Sequence, residues 1–402
     1  MIGIASLLPI LNLHLPFNTA AFDYMNGLLV GFWLLYMLMH RILDLRLIPP
    51  FLVLLLGSLL SMFESPNLDL NILTIVQEVY LALFFIVLYN VLESERDAAT
   101  LVRFWMVFAA IQGVFILGDL ANLFSGRAQG TFDNPNMAAS YVGISMFLAL
   151  HPACGFPWPL RAGYVLLMAG ALFATKSLSG VAGAMIATVV AYTLYWFRAA
   201  GGRRARNLAV ALVVVLLAGL AFAQVMGVHN FLDRGPKSAD SREQIWKAGL
   251  NSFLRSPLGM GVGPGGFVEG GYVTGGVWGE GRHISLHSDY LSFLTERGII
   301  GFLGLLALLG SLGLMVWRAV LAHGSRNEFL WRLALWAAFC FIAIDALGHE
   351  VLHYRHVWVI FALIALEDRR VGKQAEEGNP SLQPSTLPFT GAAPQPLYRG
   401  QA

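Results

Sequence analysis

Residues 241–267 read SREQIWKAGLNSFLRSPLGMGVGPGGF, and after a glycine-rich connection residues 283–301 read HISLHSDYLSFLTERGIIG. This polar, Gly-rich island interrupts a chain that is otherwise almost continuously apolar. A long loop between apolar runs is usually functional. The runs around it decide the fold class. With 57% hydrophobic and 12% charged residues over 402 positions, the chain cannot cover its apolar surface with water-facing groups. It belongs in a bilayer.

Apolar runs able to cross about 30 Å of hydrocarbon, or nearly so with tilt, occupy roughly 24–43, 48–63, 72–91, 100–120, 136–151, 161–175, 178–198, 207–226, 299–321, 329–347 and 354–366. Met1–Leu13 is apolar but short and lacks a basic n-region, which argues for a partial or tilted first span rather than a cleaved signal peptide. The expected fold is therefore an all-α polytopic membrane protein with about twelve transmembrane helices and a large, partly helical periplasmic loop. Four regions follow: an N-terminal transmembrane bundle (1–226), a periplasmic catalytic loop (227–298), C-terminal transmembrane helices (299–368) and a disordered cytoplasmic tail (369–402). The tail reading rests on a change to Pro, Gly, Ser and Thr from about Val371.

Orientation follows from lysine and arginine, which concentrate in short cytoplasmic loops. If the spans alternate, Arg41, Arg96, Arg161, Arg203, Arg318, Arg326, Arg369 and Arg370 fall on one side, while the turns at 14–23 and 64–71 carry no lysine or arginine. Both termini are then cytoplasmic and the 227–298 island faces out. ATP and nucleotide sugars are scarce there, so an enzyme needs a donor that arrives already activated. A net charge of +2 gives no case for nucleic acid, and Cys154 and Cys340 have no framework spacing.

Several residues can carry chemistry. His287 opens an apolar-periodic stretch that should be helical and end at Gly298, a suitable C′ residue. A helix N-terminus favours neutral imidazole, the form a general base needs, although an N-cap histidine that only bonds amides fits the spacing as well. Arg242 begins another helix, with Ser241 as N-cap and Trp246 on the same face. Its guanidinium can hold phosphate oxygens in bidentate fashion, or simply pair with Glu243 or Asp240 in solvent. Arg127 lies in an outer turn, SGRAQGTFDNPNMAAS, where Asn136 can cap a helix beginning at Met137; it can also be a stray outer-loop arginine. Lys176 sits at the outer end of a span, where a cation snorkels or binds an anion. Arg282 and His283 are supporting candidates just before His287.

The glycines of 261–276 make a very weak phosphate loop, lacking the Gly-Lys-Ser/Thr ending; tight folding over the membrane surface, with room for a saccharide, is the better reading. His349-Glu350-Val351-Leu352-His353 is a formal H-E-x-x-H, which on a helix could bind zinc with Glu350 as base. It lies at the outer junction of the last two spans with little chain left for a third ligand. Asp345, His349, His353 and Arg355 are preferred as a polar rim near the site, touching acceptor or donor phosphates.

The pieces Ser241-Arg242-Glu243 with Trp246, Gly261 to Phe267, and His287-Ser288-Asp289-Tyr290-Leu291 followed by Glu296-Arg297-Gly298 resemble the signature region of the O-antigen ligase and polymerase superfamily. Arg127 with Gly130, Thr131, Phe132 and Asn134-Pro135-Asn136 looks like a further element of that family, whereas Lys176 stands where many members have Ser-Arg. The resemblance implies an inner-membrane glycosyltransferase that uses neither cofactor nor metal. It implies His287 as catalytic residue, with Tyr290 in its setting, and Arg242, Arg127 and Lys176 as binders of the donor pyrophosphate. The implied donor is an undecaprenyl-pyrophosphate-linked glycan, the implied acceptor lipid A–core, and the surroundings membrane lipids. A Wzy-type O-antigen or exopolysaccharide polymerase and a protein O-glycosyltransferase share donor and motif. A polytopic transporter is the rival from another class, but transporters place polar groups at the midplane, and here they crowd the outer rim.

Overall fold

The computed structural model describes residues 14–15, 19–40, 44, 47–119, 126–151, 155–200, 234–263 and 285–376. Apart from two paired two-residue strands, β1 (His14–Leu15) and β2 (Thr19–Ala20), the described elements are helical. In chain order they are α1 (Ala21–His40), α2 (Ile48–Ser61), α3 (Leu68–Val91), α4 (Glu95–Gly118), α5 (Pro135–Leu148), α6 (Trp158–Ala174), α7 (Leu178–Ala200), α8 (Arg234–Arg255), α9 (Asp289–Glu296), α10 (Gly298–Leu321), α11 (Arg326–Gly348) and α12 (Arg355–Glu376).

Five described helices are long and apolar enough to cross a membrane: Leu68–Val91, Glu95–Gly118, Leu178–Trp196, Gly298–Leu321 and Arg326–Gly348. Gly27–His40, Ile48–Glu64 and Trp158–Ala174 are shorter apolar helices. The expected spans at 1–13 and 207–226 lie outside the described residues. The run 354–366 has another role: every residue from His356 to Glu367 is buried, so the first half of α12 is a central strut surrounded by protein. Its continuation to Glu376 also corrects the expected tail, because residues 369–376 extend the helix.

Helix ends follow local chemistry. Ser94 and Ser325 form capping boxes with Asp97 and Glu328, fixing the starts of α4 and α11. Asn134 caps α5, its side chain accepting from the Asn136 amide at 2.8 Å, with Pro135 in the first turn. The cap expected at Asn136 is therefore two residues earlier, and the Asn136 side chain is left for another partner. Likewise α8 begins at Arg234, so Ser241 lies inside the helix rather than at its N-cap.

Two close helix contacts set the frame. On α2 and α10 the backbones meet directly: a Cβ on Gly57 would lie 2.3 Å from the Gly301 nitrogen, and one on Gly304 2.5 Å from the Leu54 nitrogen. On α7 and α11 a Cβ on Gly348 would lie 2.7 Å from that of Ser179. Small residues permit such approach in membranes, where packing rather than hydrophobicity drives association. At one end of the bundle arginines close the helix termini: Arg332 pairs with Glu367 at 2.8 Å, Arg370 reaches Glu367 and Glu95, and Arg198 donates to the Ala322 carbonyl at 2.8 Å. The segments 256–263, 285–297 and 349–354 gather at the other end.

The α2–α10 contact makes a stability prediction. Gly57→Leu should lower the thermal midpoint of detergent-purified protein, since overpacking costs about 1–3 kcal/mol. Gly310→Ala, where an added Cβ meets nothing within 4 Å, should leave it unchanged. Equal midpoints for both variants would show that the contact is not tight.

Candidate functional site

The site is built where 285–292 meets 349–352. Asp289 opens α9, its backbone amide donates to the His349 carbonyl at 3.2 Å, and its Oδ2 accepts the Val351 amide at 2.7 Å and the Leu352 amide at 3.1 Å. Glu350 returns the arrangement. Its Oε1 accepts the Ser285 hydroxyl at 2.8 Å, the Ser292 hydroxyl at 2.8 Å and the His287 amide at 3.2 Å. Each carboxylate thus satisfies amides or hydroxyls of the opposite stretch. Such charge-assisted bonds are the strong ones, and losing one partner leaves buried donors unsatisfied. Burial raises the Asp289 carboxyl above its ordinary value, opposed by the two amides it receives.

His287 stands one residue before the N-cap Ser288, not at the first helical position, and its φ is +51°. A side chain in the left-handed region costs roughly 1–2 kcal/mol and persists only where neighbours enforce it. Here Glu350 and Ser285 both hold its amide. Burial sets the imidazole pKa below its ordinary 6.5; Glu350 opposes this, while Arg242 and Arg127 add to it. Neutrality thus comes from burial and two cations, and the helix N-terminus is not needed to explain it.

Two of the expected cations, Arg242 and Arg127, act on His287. Trp246 on α8 donates from Nε1 to the Leu286 carbonyl at 2.9 Å, docking the helix beside His287. Arg242, one turn earlier, is half-buried near Gly348: a Cβ there would be 3.7 Å from its Nη1. Among the described residues its guanidinium has no hydrogen-bond or carboxylate partner, and burial lowers its pKa. Glu243 is taken by Lys247 at 2.6 Å. Arg127 donates from Nε to the Thr175 carbonyl at 2.9 Å and from Nη2 to Asn136 Oδ1, which explains why Asn136 is released from capping. Lys176 occupies the α6–α7 turn with φ +51° and is half-buried. Its neighbour Ser177 lies 3.2 Å from His349 Nε2. The pKa of His349 is lowered to about 3 by burial, with Arg242, His287 and Arg127 adding to it.

The remaining candidates separate. Arg282 and His283 lie outside the described residues. Tyr290 turns away, its hydroxyl donating to the Ala343 carbonyl at 3.0 Å. Arg355 starts α12. His353 lines a cavity of about 500 Å³ with Phe51, Gln77, Glu78, Glu350 and Trp358. The H-E-x-x-H geometry fails. α11 stops at Gly348, so the five residues lie off the helix, His349 turns to Ser177 and His353 to the cavity. Among the described residues no group of three or more His, Cys, Asp or Glu is placed to hold a metal ion.

Sequence reasoning missed the support beneath the site. Arg297 is buried, bonds Glu78 and, at 3.1 Å, Glu296, and stacks 4.0 Å over the Phe293 ring. Glu296 also accepts the Gly263 amide at 2.9 Å. Glycines let 257–263 press on this unit: Gly259 has φ +99°, and a Cβ there would sit 2.4 Å from the Glu296 carbonyl. Gly261 presses on the Asn71 and Ser65 side chains and Gly263 on Thr74, where Gly263 also lines the cavity. Glu78, a carboxylate within an apolar run, was the signal that could have found this ion pair.

Residues 163–306 match the family model described as O-antigen ligase, which supports the O-antigen ligase and polymerase superfamily for this chain. Among curated proteins no match is found. The matched segment contains Lys176, Arg242 and His287; Arg127, His349 and Glu350 lie outside it and reach the site through the fold.

Asp289→Ala should accelerate amide hydrogen exchange at Val351 and Leu352 by at least about tenfold, because two buried charge-assisted bonds are lost. Exchange rates like those of wild type would show that Asp289 does not hold this loop.

Proposed function

We propose that the chain transfers a glycan from undecaprenyl pyrophosphate to a sugar hydroxyl of lipid A–core at the outer face of the inner membrane. The observation that supports this most is the pairing of a desolvated, neutral His287 with Arg242, a half-buried guanidinium without a carboxylate partner among the described residues. Fixed cations in a partly dehydrated site suit a pyrophosphate leaving group. In the proposed step His287 takes the proton of the acceptor hydroxyl, whose oxygen bonds the anomeric carbon. The bond from that carbon to the phosphate oxygen breaks, and lipid pyrophosphate leaves with the electron pair toward Arg242, Arg127 and Lys176. The imidazolium then loses its proton to solvent.

A Wzy-type polymerase shares donor and motifs with the ligase, and the lipopolysaccharide profile separates the two. A transporter is disfavoured by the gathering of ionisable groups at one end of the bundle. The arginine-rich opposite end supports a cytoplasmic assignment for that side.

Three outcomes are expected. His287→Ala should abolish transfer while inserting at normal levels, and Arg242→Lys should be strongly impaired, since a point charge cannot reproduce the bidentate fork. Lipopolysaccharide gels of complemented deletion strains check both: bare core with accumulated lipid-linked polymer indicates ligase loss, and core plus one unit indicates polymerase loss. In a chain with both native cysteines replaced, Glu64→Cys should react with a membrane-impermeant thiol reagent from the periplasm and Asn327→Cys should not. Reversed labelling would overturn the outer-face mechanism.

A further inference from the structure

The Glu350 carboxylate lies beneath the His287 backbone and is joined to its ring through one hydroxyl. Ser285 Oγ donates its single proton to Glu350 Oε1 at 2.8 Å. The same oxygen lies 3.4 Å from His287 Nδ1 and accepts the His287 amide at 3.3 Å. A hydroxyl has one proton to give. With that proton committed to Glu350, Ser285 can only accept from the imidazole, which places the ring proton on Nδ1 and leaves Nε2 as the basic nitrogen. The tautomer follows from this network. Glu350 also receives the His287 amide directly and the Ser292 hydroxyl at 2.8 Å, holding the residue in its left-handed conformation at the start of α9.

We propose that Glu350 is a positioning residue for His287: through Ser285 it selects the tautomer with Nε2 free, and through the backbone it fixes where that nitrogen points. The proposal rests on His287 acting as base in the reading above. It gives the Glu of the H-E-x-x-H sequence a role without a metal.

The charges around His287 come from several elements. Glu350 stands in the loop after α11, Arg242 on α8, Arg127 in the turn before α5, and His349 at the end of α11. Glu350 also acts on His353 and on Asp289. Among the groups acting on His287, Glu350 is the one that favours the protonated ring, while both arginines and burial disfavour it. Its carboxylate therefore steadies the imidazolium formed when the acceptor hydroxyl gives up its proton. Replacing that charge with a neutral amide must lower the His287 pKa further. A base works above its pKa, so the acidic limb of the rate profile moves to lower pH.

The test compares Glu350→Gln, Glu350→Ala and Ser285→Ala with wild type and His287→Ala in single-turnover transfer by purified full-length protein across pH. Inserted amount and monodispersity are matched first. Glu350→Gln keeps an acceptor for Ser285, Ser292 and the His287 amide, so its maximal rate should stay within roughly tenfold of wild type while its acidic limb shifts to lower pH. Glu350→Ala should lose roughly 100-fold or more, and Ser285→Ala should lose activity without any change in the outer arginines. An acidic limb that does not move in Glu350→Gln, a Gln variant as inactive as the Ala variant, or an Ala variant with the wild-type rate would each overturn the proposal. Full activity in His287→Ala would instead remove the base reading on which it rests, so the two failures are distinguishable.

Discussion

Two carboxylates, the buried Asp289 and the half-buried Glu350, lace together stretches of chain about 60 residues apart, and the geometry of the site depends on that exchange. The 349–352 stretch lies off the helices at the crossing, and 285–288 precedes α9. The Asp289 carboxylate satisfies amides at 351 and 352, and Glu350 satisfies the amide of His287 with two hydroxyls. Without these acceptors, buried donors would remain unpaired on both sides, at a cost of about 1–3 kcal/mol each. The lacing also orders the site in space, since it puts the end of α11, the start of α9 and the start of α12 at one place.

Around that crossing the electrostatics divide. Arg127 and Arg242 reach His287 and His349 from the turn before α5 and from α8, while the cavity on the side of α2, α3 and α10 is lined by Glu78, Glu296 and Glu350 with Arg297 already committed to two of them. An anion is favoured on the first side and disfavoured on the second. The ion pair beneath, Arg297 with Glu78 and Glu296, ties α9 and α10 to α3, and the glycine contact of α10 with α2 completes the support. Replacing one partner of such a buried pair is far more costly than the pair's net contribution, so its value lies in fixing one arrangement.

Much of this was legible in the sequence, and the limits are physical. Hydropathy pointed to the all-helical membrane class, and the five described helices long and apolar enough to cross a membrane all fall on runs it marked, because run length is a local property. Motif resemblance named His287, Arg242 and Arg127, which the fold brings near one another, and Gly298 was readable as the residue ending α9, where its φ is +63°. Glu350 and Glu78 were not, since their partners lie far away in the chain and a carboxylate in an apolar run does not name what it pairs with. The zinc alternative of the H-E-x-x-H sequence assumes a helix, and the helix ends one residue before it. The cap expected at Asn136 missed by two residues, a boundary shift of the size tertiary contacts easily cause, whereas α8 begins seven residues before Ser241.

The account centres on an imidazole kept neutral by burial and flanking arginines at the point proposed for the meeting of acceptor and pyrophosphate. Its most direct test is the pH dependence of single-turnover transfer by purified wild-type protein supplied with a lipid-pyrophosphate glycan. The rate should fall on acidification with a midpoint below 6.5, the ordinary imidazole value from which burial and the arginines lower His287. A midpoint at or above 6.5 would contradict the account.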